Sequence, residues 1–231
     1  MTQGNDIQKS AADAHHEALG SRLSGTEITL GPWASDDLIN DPKRLSFVLA
    51  RYKFVSKILE GKNTVLEIGC GDGFGLPVVA ASVGHLYATD WDPRPLENTR
   101  RRLGHISNVT YLEHDHTSSP AAVAADAAYS VDVIEHIEPT METVFLENIA
   151  KILPNNGVLL TGTPNLTAAE YASPQSKAGH INLKSHDGLR ELVSQYFDNV
   201  FMFGMNDEVV HTGYGPMCHY IWALGVGVRQ R

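Results

Sequence analysis

The chain has 231 residues with 42% apolar and 19% charged side chains, 18 Lys and Arg against 27 Asp and Glu, and a formal net charge of −9. That length suits one domain with a three-layer core and a small appendage, and the acidic balance argues against a general binder of nucleic-acid backbones, whose affinity comes from Lys and Arg. Two distant cysteines, Cys70 and Cys218, make no disulfide framework, no apolar run reaches membrane-spanning length, and no basic-then-apolar leader opens the chain, so a cytoplasmic location is expected.

Residues 1–25 are polar, and Ala11, Ala12, Ala14 and Ala18 favour a helix between Ile7 and Leu19. The stretch reads equally as a frayed end or as a lid over an active site. Thr26 to Asp41, with Pro32 and Trp33, reads as irregular, the aromatic packing beneath such a lid or lining a substrate pocket. Residues 1–41 are thus expected to be a lid or flexible segment, and 42–231 the main domain. Asp41-Pro42 opens a helix, the acid capping it and the proline losing no hydrogen bond at the first position. Leu45, Val48, Leu49, Tyr52, Val55, Ile58 and Leu59 recur at helical spacing until Gly61, with Arg44, Arg51 and Lys53 as a solvated face.

Val65-Leu66-Glu67-Ile68 has the pattern of a buried strand, expected over 64–68, and stops at Gly69-Cys70-Gly71-Asp72-Gly73-Phe74-Gly75. A helix is expected to follow over about 75–82. Strand, tight turn and helix start let a chain approach a ligand backbone-first. A dinucleotide fingerprint requires Gly-x-Gly-x-x-Gly. The sixth position is Phe74 counted from Gly69 and Leu76 counted from Gly71, so neither register fits. A second strand, His85 to Thr89, ends on Asp90.

Glu67-x-Gly69-x-Gly71-x-Gly73 followed by that carboxylate resembles motif I of the class I methyltransferases, which use S-adenosylmethionine. This cofactor has no pyrophosphate to seat on a helix N-terminus. It needs close backbone packing beside its methionine part, acceptors for its ammonium group and a carboxylate for its ribose. Gly69, Gly71 and Gly73 supply close approach, with Cys70 between them counted in the same wall. Glu67 or its neighbourhood is expected to balance the amino-acid end, and Asp90 to take the ribose. Trp91 offers a ring to the adenine, or packs between loop and sheet.

Pro93-Arg94-Pro95 turns into a basic helix over about 95–103, with Arg100, Arg101 and Arg102 as its wet side. A third strand, Val109 to Leu112, leads into Glu113-His114-Asp115-His116. The resemblance makes Asp115 the contact for the adenine amino group and leaves His116 near the ring or in a plain loop. Alanines at 121–128 suggest helix, but Asp126 to Val131 aligns with the family's opening of strand four. Asp132-Val133-Ile134-Glu135-His136 then resembles the matching segment of small-molecule methyltransferases related to the ubiquinone-biosynthesis O-methyltransferase. Asp132 stands where open α/β sheets bind ligands. A helix over 141–153, a strand over 158–161, an insert over 166–184, a helix over 186–195 capped by Ser185, and strands over 200–203 and 219–224 complete the chain. The resemblance implies an α/β, Rossmann-like class I methyltransferase sheet of order 3-2-1-4-5-7-6, strand seven antiparallel, with helices on both faces.

S-adenosylmethionine is already activated, so the protein's task is alignment and the exclusion of water. A base is needed only for an acceptor that holds its proton near neutral pH. His180 in the insert is the first candidate for base or orienting group, His211 between the last two strands the second, and His136 the third, with loop anchoring as its competing role. No compact pair such as His-x-x-x-His is present, so no metal is expected; His136, His180, His211, Asp207 and Glu208 are the residues that would converge on one. The connection over 203–217 reads as a wall of the acceptor pocket, through Asn206, Asp207, Tyr214 and Met217, or as an edge interface. The expected function is methyl transfer from S-adenosylmethionine to a small polar metabolite, sugar- or nucleotide-linked among the candidates, at oxygen. N-methylation of an amine, or a catalytically silent cofactor-binding assembly protein, are the alternatives. Neither nucleic acid nor membrane is expected as a partner, and a homodimer stays open.

Overall fold

The computed structural model describes residues 10–25 and 27–230. The chain divides into two compact units, Met1–Leu30 and Gly31–Arg231. The first contains helix α1 (Ala11–Leu23), whose start is fixed by a reciprocal pair: the Ser10 hydroxyl accepts from the Asp13 N–H at 3.2 Å, and the Asp13 carboxylate accepts from the Ser10 N–H at 3.0 Å. Ile7, the expected helix start, lies outside the described residues.

The second unit is built on eight strands: β1 (Thr64–Ile68), β2 (His85–Asp90), β3 (Val109–Glu113), β4 (Ala127–Val131), β5 (Val158–Pro164), β6 (Phe197–Asn206), β7 (Val209–His211) and β8 (Tyr220–Val228). Their order is β3-β2-β1-β4-β5-β8-β6-β7. The first five are parallel, and β8 runs antiparallel to both β5 and β6. The expected order is therefore present, with β8 in the place of strand seven. The short β7 is an addition that pairs β6 at the sheet edge. The alanines of strand four belong to the sheet centre: Ala127, Ala128 and Tyr129 are fully buried, because both faces are covered and no alternation is needed.

Helices α3 (Pro42–Ile58), α4 (Leu76–Ala80) and α5 (Pro93–Leu103) cover one face through Tyr52, Val55, Leu76, Val79 and Leu96. Helices α6 (Glu142–Ile152) and α8 (His186–Ser194) cover the other through Phe145, Leu146, Ile149, Leu189 and Val193. Ser185 caps α8 as expected, accepting from the Gly188 N–H at 3.1 Å. Between β5 and α8, the insert folds into a 3-10 turn (Leu166–Tyr171) and helix α7 (Pro174–Gly179).

Two local expectations are corrected. The stretch read as irregular contains helix α2 (Pro32–Asn40), with Pro32 in the first turn, where its missing N–H is no loss. Asp41 makes no side-chain cap for α3. It closes α2 instead, its N–H donating to the Asp37 carbonyl at 2.8 Å, so one residue joins two helices.

Candidate active site

The carboxyl ends of the parallel strands share one edge, and the glycine loop leaves β1 there. Gly69, Gly71 and Gly73 adopt φ of +72°, +53° and +68°, a region strained for any residue with a Cβ. Neighbours also fill the place of a side chain. A Cβ on Gly69 would lie 2.6 Å from Val133, one on Gly71 would strike the Trp33 ring, and one on Gly73 would strike Thr99. The close approach expected for a ligand is used on these sides by the protein's own packing. Cys70 turns its side chain into the core, where burial pushes the thiol well up.

Asp90, at the end of β2, latches this loop. Its carboxylate accepts from the Gly71 N–H at 2.8 Å and the Asp92 N–H at 2.9 Å. Trp91 beside it is 70% exposed. Asp115 is exposed and caps its own turn, accepting from the Thr117 N–H and hydroxyl at 2.8 and 2.7 Å. His116 is buried. The Thr89 hydroxyl donates to the Glu67 carbonyl at 2.7 Å, so it accepts from His116 Nε2 at 3.0 Å, which leaves Nδ1 a buried acceptor without a partner. Burial and His114 push the His116 pKa down to about 4.

Glu67 is fully buried, and burial pushes its carboxyl up to about 8. The Tyr129 and Tyr52 hydroxyls beside it oppose the rise and the Asp90 charge adds to it, while neither carboxylate oxygen finds a partner of full hydrogen-bond geometry. The charge expected to balance an ammonium group would thus come from a buried carboxyl that its surroundings make harder to ionise.

A cavity of about 410 Å³ opens beside the loop. Gly69, Cys70 and Gly71 form one part of its lining, Asp132, His136 and His180 another, and Trp33, Asp36, Asp37 and Arg44 of α2 and α3 a third. Glu67, Gly73, Asp90, Trp91, Asp115, His116 and His211 lie outside that lining. His211 stands on edge strand β7 with both ring nitrogens engaged, Nε2 to Asn206 Oδ1 at 2.9 Å and Nδ1 to the Gly213 N–H at 3.0 Å.

Asp132 leaves β4 at φ +57°, a left-handed conformation that Asp tolerates better than most residues. Arg51 pairs with it at 2.5 Å and lies 4.0 Å over the Tyr220 ring. The solvated face expected for α3 is corrected here, because the Arg51 side chain is only 13% exposed. Its signal was present in the spacing: Arg51 lies three residues after Val48 and four before Val55, on the buried stripe. The wet side expected for α5 also changes. Arg102 donates to the Asp72 carbonyl in the glycine loop, and Arg100 donates to the Tyr111 carbonyl at 2.9 Å.

Beyond Asp132, a 3-10 turn (Ile134–His136) receives the insert. The Ile181 and Asn182 N–H groups donate to the Glu135 carbonyl at 2.9 and 3.0 Å, which sets the His136 and His180 rings 5.1 Å apart. Glu135 is fully buried, its Oε2 accepting from the Thr163 hydroxyl at 2.9 Å, and burial with the Asp132 charge pushes its carboxyl up to about 8. Burial and the facing His136 lower the pKa of His180. Sequence reasoning passed over Glu135 because its surroundings depend on Ile181 and Asn182 docking from 46 and 47 residues further on.

The order of the strands, the loop after β1 and the acid after β2 make one arrangement. A family model described as a methyltransferase domain matches residues 66–159. Among solved structures, the N-methyltransferase NodS from Bradyrhizobium japonicum in complex with S-adenosyl-L-homocysteine matches with a TM-score of 0.61 at 18% identity, over 91% of this chain and 97% of that one. The fold is that of a class I methyltransferase. A chain of the complex between the Haloferax volcanii Trm112 methyltransferase activator and a putative methyltransferase shares this methyltransferase fold with a TM-score of 0.65 at 15% identity, over 85% of this chain and 96% of that one. A probable S-adenosylmethionine-dependent methyltransferase of Mycobacterium tuberculosis is 29% identical over 102 residues, 44% of this chain. The match spans about a third of that relative's length.

Proposed function

We propose that this protein transfers a methyl group from S-adenosylmethionine to a small polar metabolite, at oxygen. The observation that carries the reading is the Asp90 carboxylate, held against the Gly71 N–H at 2.8 Å beside a cavity about the size of a small acceptor with part of a cofactor. Asp90 is assigned to the ribose hydroxyls, Gly69, Cys70 and Gly71 to the methionine part, and Trp91 to the adenine face. Asp115 and the unpartnered His116 Nδ1 are candidates for the adenine amino group. The His136–His180 pair receives the acceptor. Methyl transfer forms an O–C bond, breaks the S–C bond and leaves a neutral thioether, while the acceptor proton passes to His180 or, through the pair, to water. The relationship to the ubiquinone-biosynthesis enzymes is carried only by the Asp132–His136 segment, and their substrate is not transferred with it.

The acids in the cavity lining, Asp36, Asp37 and Asp132, favour a second reading, N-methylation of an amine captured as a cation. Calorimetry with S-adenosylmethionine and S-adenosylhomocysteine tests the cofactor, and release of S-adenosylhomocysteine across a panel of hydroxylated and amine metabolites tests the acceptor. Absence of cofactor binding to folded protein overturns the reading. Turnover confined to amines replaces the first version with the second.

A further inference from the structure

Strand β6 has ten residues, and β8 pairs with it from Phe197 to Met205. On its other side the short β7 pairs only with Gly204, Met205 and Asn206. Among the described residues, no strand pairs with the outer side of 197–203. That open stretch is about 23 Å long at 3.3 Å per residue, enough for a complete strand of ordinary length. Backbone N–H and C=O groups along such an edge are a template for one more strand.

Proteins usually blunt an open edge with lysine, proline or an inward-pointing charge. Val200-Phe201-Met202-Phe203 carries no charge and no proline, and Phe201 is 54% exposed. The one charged residue of the stretch is Asp198, and Arg229 stands 3.7 Å from it. The edge is thus neutral and partly apolar in a chain whose formal net charge is −9.

We propose that two copies of this chain pair antiparallel through β6, about a two-fold axis, into one continuous sheet. In a two-fold contact each strand presents to its partner what it receives, so the edge must be complementary to itself. Strand β7 occupies the edge beyond Phe203, so a pairing that keeps clear of it centres on Val200, the midpoint of 197–203. Val200 then faces its own equivalent, Asn199 faces Phe201, Asp198 faces Met202 and Phe197 faces Phe203. No like charges meet in this register, whereas the net charge opposes approach of a second copy in general. The two Phe201 residues fall on a cross-strand diagonal of about 7–8 Å, within reach of aromatic rings. None of residues 197–203 lines the cavity, so the contact enlists no residue of the candidate active site.

Sedimentation of the full chain should show a dimer at about 10–100 µM. Val200→Lys sets two like charges opposite each other across the axis and should weaken dimerisation by about tenfold or more. Where near-UV circular dichroism shows that this variant has lost its fold, Phe201→Lys, at the exposed position, replaces it. Val200→Cys should form a disulfide between copies on mild oxidation, because directly opposed residues sit about 4.5–5.5 Å apart at Cα, within disulfide reach. Glu60→Cys, exposed and away from β6, should not, and Cys70 and Cys218 are buried and do not compete. Wild type that stays monomeric at about 100 µM overturns the proposal and leaves this edge to a strand of another protein. A dimer that withstands the lysine variants, or that cross-links Val200→Cys no faster than Glu60→Cys, places the interface elsewhere and overturns it as well. S-adenosylhomocysteine binding on the same samples reports separately on the methyl-transfer reading.

Discussion

The guanidinium of Arg51 reaches from α3 to the carboxylate of Asp132 at 2.5 Å, and the Tyr220 ring lies beneath it at 4.0 Å. One contact thereby ties the helix on one face of the sheet to the carboxyl end of β4 and to β8. Removing the cation leaves a half-buried carboxylate held in a left-handed backbone, beside the buried Glu135. Arg51→Met should therefore destabilise the fold by about 2 kcal/mol, below the usual cost of breaking a fully buried pair because the Asp132 side chain stays 29% exposed. Arg51→Met combined with Asp132→Asn should recover part of that loss in chemical denaturation. Equal stability for the single and double variants would show that the pair is not what links these elements.

Asp90 satisfies two backbone N–H groups and is assigned a third partner in the ribose. A charged hydrogen bond of this kind contributes about 1.5–3 kcal/mol. Asp90→Asn should weaken S-adenosylhomocysteine binding between about 10- and 100-fold, with the Gly71 N–H left buried and poorly matched. Calorimetry decides it, and unchanged affinity would move the ribose to another residue.

The architecture was legible because its signals are local: the apolar run of β1, the glycines, the acid after β2 and the Asp132–His136 segment each sit in a short stretch. The partners of those residues were not. Asp90 could be named as an acid in place, but its grip on Gly71 depends on two strands coming into register. The spacing of Arg51 put it on the buried stripe of α3, but its partner was out of reach of any local pattern, since Asp132 arrives from 81 positions away. Helix α2 was obscured by Pro32, which breaks a helix in mid-course but is harmless at its start. His211 and His180 looked alike as loop histidines, and only tertiary contacts show one saturated and the other open.

Trp33 rests against Gly71 so closely that a Cβ there would enter its ring. The same loop is where the methionine part of the cofactor is assigned. Cofactor binding should therefore displace the indole and alter its emission. Of the other two tryptophans, Trp222 is fully buried and Trp91 is 70% exposed. Titration with S-adenosylhomocysteine should change the fluorescence of wild type, and Trp33→Phe should remove most of the change. A signal that survives in Trp33→Phe and disappears in Trp91→Phe would place the ligand's effect at the adenine side instead.

Glu67 gives the fold a pH dependence of definite sign. Its carboxyl is pushed up to about 8 in the folded chain from an ordinary value of 4.5, so the native state keeps a proton that the unfolded chain has released. Stability from this group is complete below the unfolded value and is lost as pH rises toward 8, at no more than about 1.4 kcal/mol per pH unit. His116 acts oppositely. Its pKa of about 4 lies below the ordinary 6.5, so its contribution grows as pH rises from about 4 to 6.5 and is constant above. The two oppose each other below pH 6.5, and above it Glu67 is no longer offset. Glu135, pushed to about 8 as well, adds a second slope of the same sign. Between pH 6.5 and 8 the wild-type melting temperature should fall, and Glu67→Gln, which keeps the shape without the titrating proton, should fall less steeply. Parallel curves for wild type and Glu67→Gln over that range would show that Glu67 is already ionised within the folded protein.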